Sequence, residues 1–64
     1  MTTIILAIKH GAWVATWIGP GAREVYRTLG TTQVETPYLA SADPSVVYDD
    51  IAAHNPDCDV WVAI

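Results

Sequence analysis

The chain has no phenylalanine, one cysteine, two histidines and no Lys or Arg beyond Arg27. A single cysteine, Cys58, excludes an intrachain disulfide. One cysteine and two histidines also fall short of a four-ligand structural zinc site unless carboxylates join them. No apolar run approaches the roughly 18 residues of a membrane-spanning helix. The run Ile4–Ile8 is too short for a signal-peptide core, and Lys9 and His10 follow it rather than precede it. With 64 residues there is room for one small domain, 1–64. Dinucleotide-binding folds, barrels and two-domain clefts are too large for this chain. A core of this size contributes roughly 3–5 kcal/mol of net stability. Folding therefore rests on apolar packing, with self-association as the remaining aid. The composition suits that: 52% of residues are hydrophobic and 16% charged, which excludes a disordered profile. A lone cysteine fits a reducing compartment, and the expected location is the cytoplasm.

The apolar pattern predicts the elements. Thr3 to Ile8 reads as a strand and Ala12 to Ile18 as its hairpin partner, turned by Lys9-His10-Gly11. Along the second strand Trp13, Ala15 and Trp17 alternate with Val14, Thr16 and Ile18. A two-residue turn at His10-Gly11 pairs Ile8 with Trp13 and Ile4 with Trp17, so the tryptophans join the Ile4, Leu6, Ile8 face. A three-residue turn puts Val14, Thr16 and Ile18 there instead. Both registers are open, though a small core favours burial of at least one ring.

Pro20 suits the first turn of a helix reaching about Leu29, and Gly30 suits its C-terminal cap. Ala22, Val25, Tyr26 and Leu29 form its apolar face. Thr31 to Ala42 lacks a helical period, and Pro37 interrupts it; an extended connector is expected, with a short edge strand near Gln33 to Glu35. Asp43-Pro44 marks a second helix, ended by Asn55-Pro56, with Val47, Tyr48 and Ile51 facing inward. Asp49 and Asp50 are expected to face solvent. Cys58 to Ile64 is the last strand. The expected fold is α+β: a three-stranded antiparallel sheet in β-β-α-α-β order, with the helices packed on one face. The first strand is expected at its centre.

Each chemical reading of the sequence has a plainer rival. Gly19-Pro20-Gly21 before a helix suggests an anion site, but no Lys-Ser/Thr pair follows, and a turn is the simpler role. His54 and Cys58 suggest a nucleophile and base, but Asn55-Pro56 separates them, and Cys58 falls on the Val60, Val62 side as a small buried hydrophobe. The pairs Asp49, Asp50 and Asp57, Asp59 lack calcium-loop spacing and read as solvated carboxylates. No metal, cofactor or catalytic set is expected. Trp13, Trp17 and Trp61 are either core residues or, on a sheet face away from the helices, an aromatic interaction patch.

The charge layout carries most of the functional signal. Residues 1–27 hold Lys9, Arg23 and Arg27 against Glu24. Residues 28–64 hold only carboxylates: Glu35, Asp43, Asp49, Asp50, Asp57 and Asp59. Such a surface repels nucleic acid and attracts basic proteins, or it simply keeps an apolar chain in solution. In length, acidity and lack of a catalytic set, the whole chain resembles the small inhibitors carried by phages and mobile elements, notably the anti-CRISPR proteins. No motif carries a residue across from that group. The resemblance implies an inhibitor in a host-cell cytoplasm whose partner is a protein with a basic nucleic-acid-binding surface, such as a CRISPR Cascade subunit. On that expectation Glu35, Asp43, Asp49, Asp50, Asp57 and Asp59 bind the partner, and the two aspartate pairs of residues 49–59 form one contiguous acidic region that mimics DNA charge. The alternative is a structural or regulatory interaction module associating through its sheet edge or tryptophan face, a homodimer being the simplest instance.

Overall fold

The computed structural model describes residues 1–63. Strand β1 (Thr3–Lys9) turns into β2 (Ala12–Ile18) through two residues. His10 has φ 52° and Gly11 φ 81°, the left-handed pair that a tight hairpin turn requires. Ile8 therefore pairs with Trp13, Leu6 with Ala15 and Ile4 with Trp17. Of the two registers open in the sequence, the one with a two-residue turn forms, and the tryptophans join the Ile4, Leu6 face. Trp13 is 1% exposed, although its indole N–H finds no acceptor.

Helix α1 (Ala22–Leu29) follows the hairpin. Gly30, at φ 76°, ends it by donating to the Tyr26 carbonyl, as a left-handed cap does. At its start the Gly21 amide donates to Thr2 Oγ1 at 2.7 Å. A side chain at Gly21 would collide with that threonine, so close approach explains the glycine. None of the α1 residues is fully buried.

The segment expected as a connector with a short edge strand near Gln33 to Glu35 is a full strand, β3 (Gln33–Leu39), paired antiparallel to β2. Glu35 lies opposite Val14 and Leu39 opposite Ala12, so β3 advances four residues while β2 advances two. The surplus lies at Thr36–Tyr38, opposite Trp13. Pro37 offers no N–H there. The Thr36 hydroxyl donates to the Trp13 carbonyl instead, at 2.8 Å, and accepts from the Tyr38 amide at 3.2 Å. A side chain thus replaces a missing ladder bond, which is how a proline is carried in this edge strand.

Helix α2 (Pro44–His54) begins where the sequence indicated: the Asp43 side chain accepts from the Ser45 amide at 2.9 Å, with Pro44 next. It leads to β4 (Asp59–Val62), which lies beside β1. Ile64, expected in this strand, lies outside the described residues.

The three-stranded antiparallel sheet in β-β-α-α-β order is therefore corrected. Among residues 1–63 the order is β-β-α-β-α-β, and the sheet is four-stranded and mixed, ordered β3-β2-β1-β4. Strand β1 is internal, but β4 pairs with it in parallel, Ile4 opposite Val60 and Leu6 opposite Val62. The reason is the strand hidden around Pro37. It makes β3-α2-β4 a crossover: α2 returns the chain to its starting end, so β4 must run as β3 runs.

The core comprises Ile4, Leu6, Trp13, Ala15 and Val47, with Trp17, Tyr38, Ile51 and Val60 against it. All the sheet residues among these lie on one face. Val47 is fully buried there. A charge in its place has neither water nor partner, so Val47→Asp is expected to abolish cooperative thermal unfolding. A normal melt would show that α2 docks through another side. Thr36→Val keeps the shape and leaves the buried Trp13 carbonyl unpaired. The expected loss is about 1–3 kcal/mol by chemical denaturation.

Candidate functional site

The fold sets the six carboxylates to different tasks. Asp43 caps α2, and the hydrogen bonds from the Ser45 amide and hydroxyl hold its carboxyl below the ordinary range. Asp50, expected to face solvent, is half-buried and ties α2 to β3: the Tyr38 hydroxyl donates to its Oδ2 at 2.7 Å. That hydrogen bond makes the Tyr38 phenol harder to ionise. One turn on, His54 Nδ1 lies 2.8 Å from the Asp50 carbonyl oxygen and 3.0 Å from its Oδ1. The carbonyl contact first, and then the nearby carboxylate, raise the His54 pKa above its ordinary value.

Asp49 and Asp57 are exposed, on α2 and in the loop after it. Asp59 opens β4 opposite Thr3, and strand alternation points it away from Val60 and the core. It lies on the face of the sheet that α2 does not cover. Glu35 is on that same face but on β3, at the opposite edge. Asp49 and Asp59 therefore sit on opposite sides of the sheet, with Asp57 in the loop between α2 and β4.

The other chemical candidates are occupied by the fold. His54 is engaged with Asp50, while Cys58 packs against the core cluster. The Gly21 amide at the start of α1 is taken by Thr2. Among the described residues no three His, Cys, Asp or Glu side chains gather as a metal site, and no helix is long and apolar enough to cross a membrane. A shallow groove of about 290 Å³ runs between Trp17 of β2 and Val25, Thr28 and Leu29 of α1.

The helix-free face of the sheet also carries apolar side chains. Alternation places Thr3, Ile5, Ala7 and Lys9 of β1 there, beside Val14, Thr16 and Ile18 of β2. Trp61 of β4 lies across from Ile5 on the same face. Trp61 is 63% exposed and Ile18 53%. No family model, curated protein or solved structure matches this chain.

Sequence reasoning named Trp61 as a patch candidate and passed over Ile5, Ile18 and Lys9. A signal for them was present. Strand β1 is apolar on both faces, Ile4 and Leu6 on one and Ile5 and Ala7 on the other. Such runs belong to strands covered on both sides. The helices cover one; on the other, Ala12 and Val14 are buried among their neighbours while Ile18 and Trp61 stay exposed.

The Asp50 cluster yields a pH test. Because the folded-state pKa of His54 is raised, protonated His54 adds stability that is fully present below its unfolded value, near 6.5. That stability is lost as pH rises through the raised folded value. The His54 imidazole resonances followed by NMR should titrate above 6.5 in the native protein. In Asp50→Asn the midpoint should fall, because the carboxylate is gone while the carbonyl contact remains.

Proposed function

We propose that this protein is an interaction module that works by binding another protein chain through the helix-free face of its sheet. The observation that carries this is Trp61, 63% exposed beside the half-buried Ile5 on the face that no helix of the described chain covers. Exposed, contiguous apolar surface on a small chain marks an interaction site, and Trp is enriched where binding energy concentrates. The sheet edges suit pairing less well. Strand β3 carries Pro37 and its surplus residues, and β4 is four residues long and opens with Asp59. A lone thiol suits a reducing cytoplasm as the place of action.

The anti-CRISPR-type charge mimic is the second reading. What favours it is the net charge of −4 together with the exposure of Asp49 and Asp57. In that case the α2 side of the molecule meets the basic partner, and binding weakens with salt. A photo-crosslinking side chain separates the two surfaces. Placed at Ile18 on the open face and separately at Asp49 on α2, in the native cell, it should yield protein adducts from position 18. Adducts from position 49 alone would overturn the sheet-face proposal in favour of the acidic surface.

A further inference from the structure

We infer that the occupant of the open sheet face is a second copy of this chain, packed face to face with its strands antiparallel to those of the first. This rests on the sheet-face proposal and names its partner.

Charge selects the partner and its orientation. On the open face Lys9 ends β1 at one end of the sheet, and Asp59 stands beside Thr3 at the other. A two-fold axis lying in the interface and perpendicular to the strands brings each end over the opposite end of the partner. Lys9 of each copy then lies over Thr3 and Asp59 of the other, twice by symmetry. An axis parallel to the strands instead gathers both lysines at one end and both aspartates at the other. Opposite charges thus favour the antiparallel arrangement and like charges oppose the parallel one.

Size of side chain agrees with charge. The same two-fold places the row of Trp61, Ile5, Thr16 and Gln33 over the row of Ala7, Val14 and Glu35. Ile5 then lies over the small Ala7, with Trp61 beside it at the β4 edge, while the Gln33 amide faces the Glu35 carboxylate. Sheets that pack face to face interdigitate in this way, about 10 Å apart.

The area sets the strength of association. Four strands of up to seven residues span roughly 19 × 23 Å, a footprint of about half the ~800 Å² per partner of a standard interface, so the dimer is of the weak, concentration-dependent kind. A second copy also answers the thinness of the core, since association stabilises a marginal fold by mass action.

Sedimentation equilibrium of the purified chain should give a two-chain mass, with the single-chain mass emerging on dilution. Lys9→Asp and Asp59→Lys, each set against a like charge, should weaken the dimer by about tenfold or more. The double variant Lys9→Asp, Asp59→Lys should restore it. Both positions are exposed, and circular dichroism checks that each variant is folded. A wild-type single-chain mass at every concentration would overturn the dimer; adducts to a different protein from position 18 would then leave the sheet-face proposal standing. A dimer indifferent to Ile5→Ser and Trp61→Ser would place association elsewhere and overturn the face-to-face dimer. A dimer lost on disruption of the face but not restored by the double exchange would overturn the antiparallel arrangement.

Discussion

The register of the first hairpin decides what every other element packs on. Two residues with positive φ, His10 and Gly11, set Ile8 opposite Trp13. A slip of one residue would send Trp13, Ala15 and Trp17 to the other face and bring Val14, Thr16 and Ile18 to the core. The turn is stereochemically demanding: histidine tolerates the left-handed region better than most side chains, and Gly11 has no Cβ to object. With Trp13 committed to the interior, Val47 of α2 and Val60 and Val62 of β4 have an apolar surface to meet. That burial is the main stabilising contribution available to a chain with no disulfide.

The second constraint is polar and lies directly over the first. Strand β3 passes Trp13 with Pro37 in the way, and the Thr36 hydroxyl takes up the Trp13 carbonyl. The strand is then held from the helix side by the Tyr38–Asp50 hydrogen bond. A carboxylate that sequence reasoning assigned to a binding surface is here part of the scaffold. Asp43 is another, spent on the N-terminus of α2. Acidity in a linear sequence counts charges without saying which of them the backbone and its neighbours already use.

What remains for function is a sheet with two apolar faces and one cover. The helices lie over the face that carries Ile4, Trp13 and Trp17. Ile5, Ile18 and Trp61 face the other way. Burying both faces of a central strand is the usual fate of a sequence as apolar as Ile4 to Ile8. A partner chain over the open side gives β1 the environment its composition suits, and Lys9 and Asp59 at the two ends give that partner a direction.

Some of this was legible without coordinates because the signals are local. Asp43-Pro44 started a helix, Gly30 ended one, and the apolar uniformity of β1 marked it as internal. Those features depend on a residue and its near neighbours, which a linear sequence contains. Only the Gln33 to Glu35 part of β3 was legible, because Pro37 argues against continuing the strand and the rescue comes from a threonine bonded to a carbonyl 23 residues away. With β3 left as a connector with a short edge strand rather than a full sheet strand, the crossover through α2 and the parallel setting of β4 were lost too, since strand direction is a property of the whole path. The side of the sheet on which each aspartate lies was decided by the same path. By itself the sequence determined an acidic, lightly charged α+β chain that folds by apolar burial. The tertiary structure alone decided which carboxylates are structural and which apolar face stays uncovered, because both depend on register and on pairing between residues far apart in the chain.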